Sequence, residues 1–479
     1  MVDKMANASL INEDLAPIPL EKRTWGTWNY AALWISMSLC IPTYMLASGM
    51  IKDGLNWWQA ILIFLIGNCI VLVPMILNGH AGAKYGFPFP VFARAAFGTK
   101  GANIPAMLRA IVACGWFGIQ TWIGGESIYN LIRAWNPTLA EIDSHSLFPQ
   151  AIPMICFFIF WLLNMFIIYL GVDSIKKLLV FKAFFLPLAA LALLFWAIIA
   201  AKGLGHILDQ HAALEGKAFW KYFFPALTGM VGFWATLSLN ITDFTRYARS
   251  QKAQVRGQVI GLPPSMTIFA FIGVVVTLST TIIYGQTEWD IVKLAGKFES
   301  KIMVSIAMIG IIISTLATNI AANIVSPAND FSNLAPNKIS FKTGGYITGI
   351  IGVMIFPWKL IADPNGYIFT WLIAYSSLLG PVGGIMIVDY FFIRRKKLIV
   401  DDLYDHEGLY RYNNGFNHIA IIALLCGILP NLPGFLLQIK VVSLTVFPEW
   451  ISNLYNYAWF VGFFVSGLLY YLLMKKNKE

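Results

Sequence analysis

The sequence predicts an all-α integral membrane protein of about 12 transmembrane helices. Three observations carry that prediction. Of the 479 residues, 58% are hydrophobic and only 12% are charged, half the ~25% charge of an ordinary soluble domain. The apolar residues fall into stretches close to the ~20 needed to cross a hydrocarbon core of ~30 Å. The basic residues sit in the short connections between those stretches.

The candidate stretches, in order, are 29–51, 57–78, 102–134, 151–171, 177–201, 222–242, 259–284, 302–325, 343–360, 366–392, 417–437 and 455–474. The first, containing SMSLCIPTYMLASGM (36–50), carries Pro42 near its middle; proline removes a backbone donor and crowds the preceding turn. The third is longer than a bilayer requires, which predicts tilt. The sixth, containing ALTGMVGFWATLSLN (226–240), holds Gly229 and Gly232, and glycine loosens a helix interior. The eighth and ninth flank a loop with Pro327, Pro336 and Lys338. This divides the chain into an N-terminal segment (1–28), a ten-helix core (29–392), a polar loop (393–416), two further helices (417–474) and a short tail (475–479).

With the N-terminus inside, the inner connections receive Lys84, Arg94, Lys100, Lys176, Lys177, Arg246, Arg249, Lys252 and Arg256. They also receive the run Arg394-Arg395-Lys396-Lys397. The outer connections receive roughly half as many, so the positive-inside rule predicts both termini in the cytoplasm and an even number of spans. The formal net charge of +10 is thereby read as orientation rather than nucleic-acid binding, since the basic residues form no stripe. The first 28 residues, with Glu13, Asp14, Glu21, Lys22 and Arg23, lack a basic-then-apolar leader, so the first apolar stretch is expected to stay in the membrane. Cys40, Cys69, Cys114, Cys156 and Cys426 lie in apolar stretches without metal-site spacing and read as small buried hydrophobes.

Stretches one and six occupy corresponding positions if the first ten helices are two repeats of five. Interruptions at matching positions point to a transporter binding site; an ordinary proline kink with packing glycines accounts for the same residues. In GWFGIQTWIGG (115–125), Trp116 and Gln120 are four apart and share a helix face. Gly118, Gly124 and Gly125 let other backbones approach. Stretch six adds Trp234. Stretch eight adds Thr318, Asn319 and Asn323. Two indoles can clamp a flat ring, and the amides of Gln120 and Asn323 each offer a donor and an acceptor. A planar solute with alternating N–H and C=O groups would satisfy both, as nucleobases and hydantoins do. With Trp116 facing lipid and Gln120 bonding a neighbouring helix, the residues are equally well explained, and both readings stay open.

Charged residues in or beside the stretches are few; Arg109, Glu126, Asp243 and Asp389 stand out, most of them expected near helix ends where snorkelling or an interfacial ion pair is cheap. Glu126 is the one plausible proton carrier. An intramembrane enzyme would need His and Glu on facing helices, but His80, His145, His206, His211, His406 and His418 fall in loops or at helix ends. No repeated pore ring points to a channel, and no charged partner for an amino acid stands at the site.

The chain resembles the nucleobase–cation symporter-1 family, permeases for uracil, cytosine, purines, allantoin and hydantoins. The resemblance runs over nearly the whole chain, through NEDLAPIPLEKRTW (12–25), KYGFPFPVFARAAFG (84–98), GWFGIQTWIGG (115–125), NITDFTRYARSQ (240–251), TNIAANIVSPAND (318–330) and LGPVGGIMIVDYF (379–391). It looks closest to the uracil and allantoin branch. The resemblance implies two inverted repeats of five helices plus two C-terminal helices, and a secondary active transporter in the plasma (bacterial inner) membrane. That transporter would import a planar heterocycle, uracil or allantoin, by cation symport, with purines, cytosine, hydantoins or a vitamin as the alternative cargo. It implies a substrate held by Trp116, Gln120, Trp234 and Asn323, with Phe233 and Cys40 beside it; at Cys40 a hydantoin-transporting relative has glutamine. It implies a cation site at Ser36, Leu39, Ser314, Ala317 and Thr318, for Na+ or H+. There Thr318 keeps the family's hydroxyl and Ala317 departs from a serine. No cofactor, nucleic acid or obligate protein partner is expected, only the heterocycle and the lipid bilayer.

Overall fold

The computed structural model describes residues 10–139, 151–170, 172–443 and 446–476, and of 172–181, 183 and 184 the backbone alone. The outer parts of the expected N-terminal segment and tail, and His145, lie outside the described residues. Among the described residues the chain is helical, with no strand. In order come α1 (Thr27–Ser38), α2 (Ile41–Lys52), α3 (Trp57–Tyr85), α4 (Phe89–Phe97), α5 (Asn103–Trp135), α6 (Ala151–Leu170), α7 (Val172–Ala200) and α8 (Gly216–Phe233). There follow α9 (Ala235–Asn240), α10 (Gln251–Tyr284), α11 (Lys301–Asn323), α12 (Val325–Leu334), α13 (Phe341–Met354), α14 (Asn365–Ile393), α15 (His418–Gln438) and α16 (Ala458–Lys476).

Each expected stretch lies on helix. Among the described residues, eight helical runs are long and apolar enough to cross a bilayer, α11 and α12 counting as one, and the α1–α2 pair makes a ninth. The ninth expected stretch, 343–360, is not one helix. α13 has 14 residues, about 21 Å at 1.5 Å per residue. Phe356 then takes φ 54° and Pro357 restarts the chain. A residue before proline is pushed out of helical geometry, which ends α13 early.

Local signals set the helix starts. Asn56 accepts from the Gln59 backbone N–H at 3.1 Å while the Gln59 side chain accepts from the Asn56 N–H at 3.0 Å, a reciprocal cap on α3. Ser250 and Ser300 cap α10 and α11. Gly86, at φ 83°, closes α3 in the left-handed conformation that glycine adopts without strain. Between helices, small residues allow close packing. A Cβ on Gly261 of α10 would lie 3.0 Å from the Ala31 Cα of α1, and one on Gly380 of α14 would lie 2.6 Å from the Trp459 carbonyl of α16.

One end of the bundle is knitted by arginines. Arg94, fully buried, donates to the carbonyls of Leu10 and Leu403 and to Asn333. Arg246 donates to the Asp14 carbonyl, and Tyr404 to the Leu15 carbonyl. Residues 10–15 and the 393–416 loop are therefore packed into this end. The expectation that Arg109 sits cheaply at an interface is corrected here. Arg109 and Asp330 are 1% and 0% exposed and form an ion pair at 2.8 Å, so each charge is desolvated and depends on the other. Asp389 is likewise buried, held by Arg394 at 2.7 Å and the Tyr470 hydroxyl at 2.8 Å. Asp243 accepts from the Phe89 N–H and from Asn240 and Ser326.

Candidate functional site

α1 and α2 part company at Leu39 and Cys40, where the backbone becomes extended (Cys40 φ −147°, ψ 157°) and the direction changes by 56°. Pro42 stands at the second position of α2, where its missing N–H leaves no bond unmade. The other interruption falls on Trp234 itself (φ −101°, ψ 6°), between α8 and α9. Gly229 and Gly232 do not break α8. A Cβ on Gly229 would come 3.1 Å from Ile368, and one on Gly232 would run into Ser376; these glycines admit α14.

Between the two interruptions lies a cavity of about 40 Å³. Trp116, Gln120, Phe233, Trp234, Asn323 and Cys40 all line it, with Met37, Pro42, Thr236, Leu237, Thr318 and Ala322. An apolar cavity of ~150 Å³ takes a benzene ring, so a heterocycle entering here must widen the space. The Phe233 ring lies edge-on to both indoles, with centroids 5.2 Å from Trp116 and 4.9 Å from Trp234. Tyr367, Trp371 and Tyr375 of α14 surround Trp116 edge-on at 6.1–6.3 Å.

The amides behave differently. Asn319 is 0% exposed and its Nδ2 reaches the Phe117 carbonyl, the Thr121 hydroxyl and Asn164, each at 3.2 Å. Asn319 is a seam between α5, α6 and α11. Asn323 lines the cavity and donates to Asn319 Oδ1 at 3.0 Å, while its own carbonyl oxygen accepts from no described residue. Gln120, 4% exposed, makes no hydrogen bond with any described residue and faces the cavity. A buried amide without partners is costly, and this one keeps its donor and acceptor for whatever occupies the space.

Several supporting groups were not singled out from the sequence. Asn68 accepts the Trp234 indole N–H at 3.1 Å and is itself held by the Phe64 carbonyl. Tyr367 donates to the Pro42 carbonyl at 3.0 Å, and Tyr375 to the Gly232 carbonyl at 2.8 Å. α14 is thus hydrogen-bonded beside both interruptions. An asparagine in an apolar helix and tyrosines eight residues apart were the available signals. Glu126 does not line the cavity.

Of the expected cation-site residues, Ser314, Ala317 and Thr318 are buried on α11. The Thr318 hydroxyl donates to the Ser314 carbonyl at 2.8 Å. Ala317 offers backbone only. On α1, Leu39 ends the helix and the Ser36 carbonyl accepts from Lys182 Nζ of α7 at 2.6 Å.

A family model described as permease for cytosine/purines, uracil, thiamine and allantoin matches residues 17–462. A purine–uracil permease of Arabidopsis thaliana is 42% identical over 480 aligned residues, 98% of this chain and 78% of that protein. The allantoin permease of Bacillus subtilis is 38% identical over 470 residues, 97% of this chain and 93% of its own length. Among solved structures, the inward-facing conformation of Mhp1 has a TM-score of 0.79 at 25% identity, covering 98% of this chain and 95% of Mhp1.

Proposed function

The chain belongs to the permease family for cytosine/purines, uracil, thiamine and allantoin, a multi-pass membrane transporter and not an enzyme, and on that premise we propose that it imports uracil or allantoin by cation-coupled alternating access. The observation that carries this reading is Gln120, an unpartnered amide beside Trp116 in a cavity that Asn323 also lines. Such a set matches a flat ring whose edge alternates N–H and C=O. The relatives named for uracil and allantoin support the same substrate class. Uracil, a single small ring, also asks less widening of a 40 Å³ cavity than a purine does.

In this reading Trp116 and Trp234 stack on the ring, Gln120 and Asn323 read its edge, and Phe233 and Cys40 complete the wall. The core 29–392 does the transport, as two five-helix repeats, and 417–474 are the additional helices. The protein sits in the bacterial inner membrane with both termini in the cytoplasm. α14 is the closing element: its Tyr367 and Tyr375 bonds to α2 and α8 must break or form as access alternates. Uptake of labelled uracil and, separately, of labelled allantoin in a permease-deficient bacterial strain, each with the other unlabelled as competitor, tests the proposal. Saturable uptake of either heterocycle is expected. Correctly inserted protein that carries neither contradicts it.

A further inference from the structure

We propose that the Lys182 ammonium occupies the cation site itself, as a tethered cation, so that this chain binds no sodium there. The last turn of a helix leaves carbonyls without partners, at the negative end of the helix dipole. In α1 the Cys40 N–H, which would have bonded the Ser36 carbonyl, turns to Ser38 at 3.0 Å instead. The Ser36 carbonyl is freed, and Lys182 Nζ takes it at 2.6 Å. Lys182 is 2% exposed, and among the described residues no carboxylate pairs with it. An ammonium buried without a counter-ion needs oxygen acceptors and a favourable dipole, and the end of α1 supplies both.

The donor set does not fit a sodium ion. A bound alkali cation must replace its hydration shell with protein oxygens. Here the Ser36 oxygen is already held by a positive charge and Ala317 brings no side-chain oxygen, so two of the five expected positions lack an oxygen for a second cation. A second cation against the same carbonyl would meet Lys182 at short range, in surroundings that screen poorly. Lys182 comes from α7 and the carbonyl from the broken α1, so the fixed ammonium also ties the two together, as a shared ion would.

Only the uptake arm of the test rests on the transport function proposed above. Binding of labelled sodium to the purified protein needs no substrate: the expected result is no saturable binding at physiological sodium, and saturable binding would overturn the proposal. In cells, uptake is expected to be equal in sodium and choline media, and loss of uptake in choline would overturn it. The double variant Lys182→Ala with Ala317→Ser removes the tethered charge and restores a hydroxyl. Its uptake is expected to fall at least tenfold in choline and to recover partly in sodium, a gain that loss of packing cannot produce. A folded double variant with wild-type uptake in both media would refute the role of Lys182. If that variant does not fold, sodium binding to the wild-type protein still decides.

Discussion

The two interruptions that flank the cavity are built differently. Between α1 and α2 two residues leave helical geometry, the direction changes by 56°, and a carbonyl is freed for an ammonium. Between α8 and α9 one residue departs slightly, the hydrogen bonding resumes at Ser238, and what is delivered is the Trp234 indole. The first break works through backbone charge and the second through a side chain. Two interruptions beside one cavity therefore need not do the same job, and substitutions can separate them.

The largest effect is expected at the second break. Trp234→Ala removes a stacking face, and aromatic–base stacking is worth ~1–3 kcal/mol, so heterocycle affinity should fall about 10–100-fold in a binding titration. Leu39→Ala at the first break should change affinity only a few-fold, because the backbone there carries the function. Equal losses at both sites would erase the distinction.

Next in size is the contrast between two buried amides. Asn319→Ala opens a three-helix seam and should lower stability by roughly 1 kcal/mol, as interhelical polar contacts in membranes do. Gln120→Leu breaks no bond within the described protein and should leave the melting temperature in detergent unchanged. A large fall for Gln120→Leu would make it a structural amide after all. Asn68→Leu, which strips Trp234 of its acceptor, should cost about 1 kcal/mol and show as a roughly fivefold loss of affinity with little change in expression.

The smallest effects concern α14. Tyr367→Phe loosens α14 from the first break and Tyr375→Phe from the second, each by ~0.5–1.5 kcal/mol. Cys40 lines the cavity and can report opening once the other four cysteines are replaced by alanine. Maleimide labelling of Cys40 should speed up in both variants, and an unchanged rate in both would remove α14 from the gating role.

The sequence carried the helices well, because period and length of apolar runs are properties of single segments. It also brought Trp116, Gln120, Trp234 and Asn323 onto one short list, largely through their motifs. It left two causes open for the interruptions, and the glycines follow the packing one. Pro42 marks a restart and Gly229 and Gly232 admit a neighbour, facts that depend on where α14 lies. It picked Asn323 over Asn319 for the ring, but that Asn319 is a seam shows only in its contacts with α5 and α6. Lys182 went unremarked because a lysine in an apolar run gains meaning only from the carbonyl it meets.

The central claim is that Gln120 is kept free for a ring in this cavity. Titrating purified wild-type protein and Gln120→Leu with uracil and with allantoin, following tryptophan fluorescence, tests it most directly. The account predicts saturable binding of at least one heterocycle to the wild type, and a loss of about 10–100-fold in the variant, the ~1–3 kcal/mol of a buried hydrogen-bonding group left unmatched, with melting unchanged. Equal affinity in the two proteins would contradict it.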